Sequence, residues 1–348
     1  MPRIEKNSEL YICRYAIGPD SKPRIGLVLD KGDGLRKDVV IGDLSERLAE
    51  RLQVRTVSDL GELNDPVTVV KKLARTTKAL SADKLANVHF LPCIDNQEVE
   101  AAGVTYMTSI DARTDESGTD IYKAVGRNKR PEIFGKSHPR KVIGPGAPLA
   151  IRHDSKWNVP EGEFTLVFNS QGQLLGVTAG NDMSSRDIEG DNPLYLPQAK
   201  VYNQSCGIGA FMRIGTSLDQ LKEEAVIKLE ILRNGEPLIT PLEGRVSDIQ
   251  RTFQELRDYL FNSRTFESGV ALLTGTNTVP AMKHVLSGSG YEGIDVPGRE
   301  GKQFSLEDGD LVKITISGVC PLDNPIVRLP NMSEGLPPLD FPSVTHSS

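Results

Sequence analysis

Cysteine is scarce in this chain and unpaired in sequence. Cys13, Cys93, Cys206 and Cys320 are the only four in 348 residues, with no Cys-x-x-Cys spacing. That pattern argues against a disulfide-stapled secreted scaffold and leads us to expect reduced thiols in a cytoplasmic protein. Long apolar runs are also missing. No window holds eighteen uninterrupted apolar residues, and Met1-Pro2-Arg3-Ile4-Glu5-Lys6 lacks the apolar core of an export signal, so neither membrane insertion nor export is expected. Positive charge is not in excess. The 41 Lys and Arg face 47 Asp and Glu, a net charge of −6, which weighs against a nucleic-acid or anionic-membrane partner. The short basic run Arg127-Asn128-Lys129-Arg130 stops at Pro131 and reads as a solvated loop. There is no regular alternation of strands and helices, so a dinucleotide-binding βαβ fold is disfavoured.

With 25% charged and 38% hydrophobic residues, the composition is that of an ordinary soluble globular protein, long enough for more than one domain. We expect a small N-terminal α/β accessory domain over residues 1–95, a catalytic domain over 96–330 and a C-terminal tail over 331–348. The first part reads as strands near Leu10 to Tyr15 and Ile25 to Leu29. A helix with Leu44, Leu48 and Leu52 on one stripe follows, and a second helix after Pro66 runs through Val69, Val70, Leu73 and Leu80. The proline of Leu91-Pro92-Cys93 marks the boundary. Beyond it, short strands and tight turns prevail. Ala225 to Leu232 runs into Asn234-Gly235, a strong hairpin signal. One helix stands out, with Ser247 and Gln250 as a capping box and Ile249, Phe253, Leu256 and Leu260 as its apolar stripe.

The chemistry concentrates in one stretch. Glu161 and Glu163 stand two apart at the start of Glu163-Phe164-Thr165-Leu166-Val167-Phe168, whose alternation predicts a strand, so both carboxylates share a face. Two acids on one pleat face repel. The turn Asn169-Ser170-Gln171-Gly172-Gln173 and the run Leu174 to Thr178 predict a hairpin that returns Asp182 to their side. Three converging carboxylates form an all-oxygen donor set suited to Mg²⁺ or Mn²⁺, or to Ca²⁺. Lys200 follows in a stretch too apolar for a casual surface lysine, where its ammonium would stabilise negative charge or carry a proton. Arg186 is a candidate for a substrate carboxylate. Thr276, after Gly275, offers a hydroxyl and a backbone N–H. Ser205 and Tyr106 are weaker candidates for substrate contact.

The order of these elements resembles the fumarylacetoacetate hydrolase superfamily: Glu-x-Glu, then Asn181-Asp182-Met183-Ser184-Ser185-Arg186-Asp187, then Lys200, then Thr274-Gly275-Thr276, then the closing strands around Gly309-Asp310-Leu311 and Leu322-Asp323-Asn324-Pro325. The likeness spans roughly residues 100–330. The run Glu189-Gly190-Asp191-Asn192-Pro193-Leu194-Tyr195-Leu196-Pro197-Gln198-Ala199-Lys200 is most similar to the 2-keto-3-deoxy sugar-acid dehydratase branch. The resemblance implies an α+β, mainly β fold, a mixed β-sandwich roll, and a metal-dependent enzyme acting on a small 2-oxo acid. A homodimer is expected by default.

One departure decides between reactions. The superfamily's carbon–carbon hydrolases activate water with a histidine soon after an aromatic residue, whereas Val104 to Arg113 here contains Tyr106 and no histidine. His89, His138, His153, His284 and His346 all lie elsewhere. Glu132 and Glu116 remain as candidate bases, Glu132 being the one the dehydratase branch implies. The expected activity is therefore dehydration of a pentonate-like 2-keto-3-deoxy sugar acid. The alternatives are hydrolysis of an acylpyruvate-type carbon–carbon bond, and a catalytically silent metal-binding scaffold.

Overall fold

A computed structural model describes residues 9–18, 21–32, 39–117 and 120–334. Two sheets face each other. The larger has eleven strands. Its central path runs from Val40–Asp43 through Arg24–Asp30, Leu10–Ile17, Phe211–Ile214, Leu174–Asp182, Gly162–Phe168 and Val270–Leu273 to Glu98–Gly103 and Glu132–Ser137. The smaller has six, centred on Val226–Arg233, Leu311–Ile316 and Pro321–Arg328. Most pairings are antiparallel. Val270–Leu273 with Glu98–Gly103 and Pro321–Arg328 with Leu149–Ile151 are parallel, which makes the roll mixed, as expected.

The strand Gly162–Phe168 is buried along its whole length. Phe164, Leu166 and Phe168 enter the core between the sheets, beside Ile227, Leu229 and Ile314. Val167 points to a second core shared with Leu48, Val70 and Val99. Period-2 alternation then assigns Glu161 and Glu163 to the Val167 face. The predicted hairpin is present, with Asn169 Oδ1 accepting from the backbone of Gln171 and Gln173 at 3.1 and 2.8 Å. Pairing of Gly180 with Glu163 and Asn181 with Gly162 continues to a bond from Asp182 N to Glu161 O of 2.9 Å. This register brings the third carboxylate alongside the first two.

The larger sheet draws strands from both expected domains, since Leu10–Ile17 pairs with Phe211–Ile214, and the second core holds residues from before and after residue 95. Several local expectations need correction. In the helix Ser45–Leu52, Leu48 is buried but Leu52 is 41% exposed, since it sits on the last turn beyond the covering strands. Leu80 lies outside the helix Pro66–Ala74 and instead donates its N–H to Ile41 O. The capping box expected at Ser247 does not form: Ser247 lies inside the short 3₁₀ turn Val246–Asp248, whose cap has no side-chain hydrogen bond. The helix starts later, at Phe253–Phe261, where Thr252 accepts from Glu255 N at 3.0 Å. The Asn234-Gly235 hairpin forms as read, both residues with positive φ. The tail from residue 335 onward lies outside the described residues.

Candidate active site

The three carboxylates meet as the register requires. Glu161, Glu163 and Asp182 are buried, each offering one oxygen within 4.8 Å of the others. Gly275 N donates to Glu163 Oε2 at 2.6 Å. A glycine is needed there: φ is +93°, and a Cβ would stand 2.0 Å from Thr105 Oγ1. Burial, reinforced by the negative charge of Asp182 and Glu161, pushes the Glu163 carboxyl well above the usual carboxylate range. A divalent cation would relieve that repulsion, and an all-oxygen set of this compactness fits Mg²⁺ or Mn²⁺.

Cations already surround the cluster. Lys200, at the end of the helix Leu196–Lys200, donates from Nζ to Glu161 Oε2 and Asp182 Oδ2 at 2.9 Å each and to Ser184 Oγ at 2.5 Å. Arg186, first residue of the helix Arg186–Asp191, donates to Glu161 Oε1 at 2.8 Å. Asp187 turns the other way, accepting from Ser155 Oγ and Lys156 N, which anchors that helix to the neighbouring loop. A lysine absent from the sequence reading, Lys136, is fully buried with Nζ 2.5 Å from Asp182 Oδ1. Hydrogen-bond alignment to that oxygen is lacking, so the contact is an ion pair.

A small cavity opens on this cluster. Its lining includes Glu161, Glu163, Asp182, Lys200, Arg186, Glu132 and Thr276, together with Phe134, Ser109 and Glu189. Glu132 stands opposite Gly103 in the strand pairing, and a Cβ on Gly103 would lie 1.9 Å from Glu132 Oε2. The bare backbone there makes room for the carboxylate. Thr276 Oγ1 lies 3.2 Å from Thr278 Oγ1, and Ser109 donates to Thr276 O.

Ser205 and Tyr106 are not among the lining residues. Ser205 donates to Lys200 O at 2.9 Å and so supports the lysine from behind. Tyr106 is 1% exposed, and burial pushes its phenol well up. Glu116 falls in the helix Met107–Ser117, its side chain outside the described residues. Among the described residues no histidine lines the cavity. His138 is exposed at a 3₁₀ turn, and the side chain of His153 is 41% exposed beside Asp154. Lys136 escaped notice because a single lysine in Ile133-Phe134-Gly135-Lys136 carries no spacing signal. Glu189 lies three residues past Arg186, and in the sequence it stands out only as the first residue of the run from Glu189 to Lys200.

Residues 111–327 match the C-terminal region of fumarylacetoacetate hydrolase. The chain belongs to the fumarylacetoacetate hydrolase family. Among curated members it is 36% identical over 248 residues to a probable 2-keto-3-deoxyxylonate dehydratase of Haloferax volcanii, covering 71% of this chain and 78% of that one. It is 32% identical over 258 residues to the 2-dehydro-3-deoxy-D-arabinonate dehydratase of Saccharolobus solfataricus, covering 72% and 78%. A solved family structure, a 2-keto-3-deoxy-D-arabinonate dehydratase complexed with magnesium and 2,5-dioxopentanoate, superposes with TM-score 0.63 at 26% identity, over 92% of this chain and 99% of that chain. The mixed β-sandwich roll is thus the family's fold.

Proposed function

We propose that this protein is a divalent-metal-dependent hydro-lyase that removes water from a 2-keto-3-deoxy sugar acid of pentonate size. The observation that carries this is a single cavity uniting three buried carboxylates, Lys200 and Glu132, with no histidine among the described residues of its wall. Glu161, Glu163 and Asp182 would hold Mg²⁺ or Mn²⁺. When bound, that ion supplies an electrophile for the substrate's carboxylate and 2-keto oxygen, which acidifies C3.

The chain's own groups do the rest. Glu132 takes the C3 proton, a positioned-base contribution of about 10² to 10⁴ in rate. Lys200 stabilises the negative charge that develops on the 2-oxo group as C3 loses its proton. Arg186 and Thr276 orient the substrate carboxylate, and burial of the carboxylate cluster keeps bulk water away. The C4 hydroxyl leaves as water with the proton that Glu132 took from C3, and the resulting 5-hydroxy-3-ene tautomerises, losing its hydroxyl proton and a C5 proton and gaining solvent protons at C3 and C4, to the 2,5-dicarbonyl acid. We assign no hydrolytic role to His138 or His153, both of which lie outside the cavity lining.

The setting we propose is a homodimer in the cytoplasm. It is supported by four buried free thiols, Cys13, Cys93, Cys206 and Cys320, which suit a reducing compartment. Among the described residues no helix is long and apolar enough to cross a membrane. Light scattering coupled to gel filtration reads the oligomeric state.

The test of activity is NMR of the metal-loaded protein with a panel of substrates in D₂O. A 2-keto-3-deoxypentonate is expected to give a dehydrated dicarbonyl acid with deuterium in the carbon skeleton. Cleavage of acylpyruvates to pyruvate and a carboxylic acid, faster than any dehydration, would replace this reading with carbon–carbon hydrolysis.

A further inference from the structure

Lys136 has no exposed surface. It stands where the strand Glu132–Ser137 departs from regular pairing. Val99 is opposite Ser137 and Glu100 is opposite Gly135, so Lys136 is the extra residue of a β-bulge. Bulges bend a strand and re-aim a side chain, often beside a functional site. Here the ammonium is aimed at the metal-ligand cluster. Nζ is 2.5 Å from Asp182 Oδ1, and it donates to Lys200 O at 2.6 Å and to Met183 O at 3.0 Å. Lys136 does not line the cavity. Its three contacts join two segments, the end of the Asp182 strand and the end of the helix that carries Lys200.

We propose that Lys136 is a positioning residue of the metal centre, holding the Asp182 carboxylate and the Lys200 backbone in fixed relation; this rests on the metal-centre reading above. The sharing of the Asp182 oxygens carries the argument. Oδ1 faces Lys136, while Oδ2 accepts from Lys200 at 2.9 Å. Deleting Lys136 leaves Lys200 as the one lysine on Asp182 among the described contacts, and the carboxylate is released to turn toward it. A purely electrostatic role predicts the opposite sign, because removing a positive charge beside a carboxylate strengthens its pull on a divalent cation. Orientation is the larger effect: outer-shell partners of metal ligands typically account for about 10- to 100-fold in metal affinity.

The experiment is titration calorimetry with Mn²⁺ alone on Lys136→Met, Asp182→Asn and the double variant, each well below its own Tm. Lys136→Met is expected to bind Mn²⁺ about 10- to 100-fold more weakly. The double variant is expected to bind no worse than Asp182→Asn, because the lysine acts through that carboxylate. Lys136→Gln keeps a donor for the two carbonyls and is expected to show the same loss, so it serves if the methionine variant fails to fold. Unchanged or tighter Mn²⁺ binding in the Lys136 variants overturns the proposal, as does a lowered Tm with metal affinity intact, the signature of a merely structural lysine. Unchanged binding in Asp182→Asn would instead remove the metal-centre reading itself.

Discussion

The two walls of the cavity are built from different materials. The carboxylate wall is strand: Glu161 and Glu163 lead into Gly162–Phe168, Asp182 ends Leu174–Asp182, and both strands are almost wholly buried. Beside them stands a pair of helices, Met107–Ser117 and Ile121–Arg127, of which Ser109 reaches the cavity lining; among the described residues the pair shares a small apolar cluster of Val104, Ile110 and Tyr122 with Val125 packed against it. Met107 and Ile121 are about half exposed, at 51% and 49%. The helical pair is tied down by polar contacts: Ser109 to Thr276 O, and Arg251 to the carbonyls of Val125, Asn128 and Lys129. The first wall is fixed by packing on both faces, whereas the contacts of the second among the described residues are largely polar. Groups that must hold a metal ion belong on the first, and groups that admit and release a substrate belong on the second.

The largest expected effect breaks the strand wall at its ligands. Glu163→Gln or Asp182→Asn should abolish tight metal binding and lower turnover by about 10³-fold or more, the equivalent of the several kcal/mol a Lewis acid supplies. Calorimetry with Mg²⁺ and steady-state kinetics check it. Next is Glu132→Gln, which should lower kcat by about 10² to 10⁴ while metal affinity stays unchanged. A change in affinity would move Glu132 into the metal wall. Lys200→Met should lower kcat by about 10²-fold with metal binding retained, and near-normal kcat would make the lysine structural.

The two milder predictions concern stability. Gly275→Ala puts a Cβ against Thr105 Oγ1 at φ +93°, so a destabilisation of about 1–3 kcal/mol is expected, seen as a lowered Tm. Smallest of all is Ile110→Ala. Its cluster is minor, so the global Tm should hardly move, whereas hydrogen exchange of the helical pair, expected to be faster than that of the Gly162–Phe168 strand, should quicken further. A large fall in Tm would show that the two walls unfold as one.

The same contrast explains what could be read from the sequence. Glu161, Glu163 and Asp182 were legible because strand periodicity and a recognisable hairpin turn fix faces and register from local pattern alone. Lys200, Arg186 and Thr276 were legible through motif order and Glu132 through the likeness to the dehydratase branch, and all four line the cavity. Ser205 was singled out for its neighbourhood, yet its hydroxyl supports Lys200 from behind, since a hydroxyl on a buried turn carries no sign of which way it faces. Lys136 and Glu189 were not foreseen. The first depends on a bulge between Val99 paired with Ser137 and Glu100 paired with Gly135, residues far apart in sequence, and the second on the close approach of one short helix. The late start of the helix Phe253–Phe261 has a similar cause: Ser247 and Thr252 both precede apolar positions, and tertiary packing chose the second.

The hairpin around residues 169–173 imposes a counting rule on the gene. Side chains alternate faces with a period of two, so an odd insertion or deletion between Gly176 and Asp182 would carry the Asp182 carboxylate to the opposite side of the sheet, away from Glu161 and Glu163. The same change in the turn between Asn169 and Gln173 leaves the paired strands in step. Length variation within this family should therefore collect at the turn and be absent a few residues later, although both stretches belong to one hairpin.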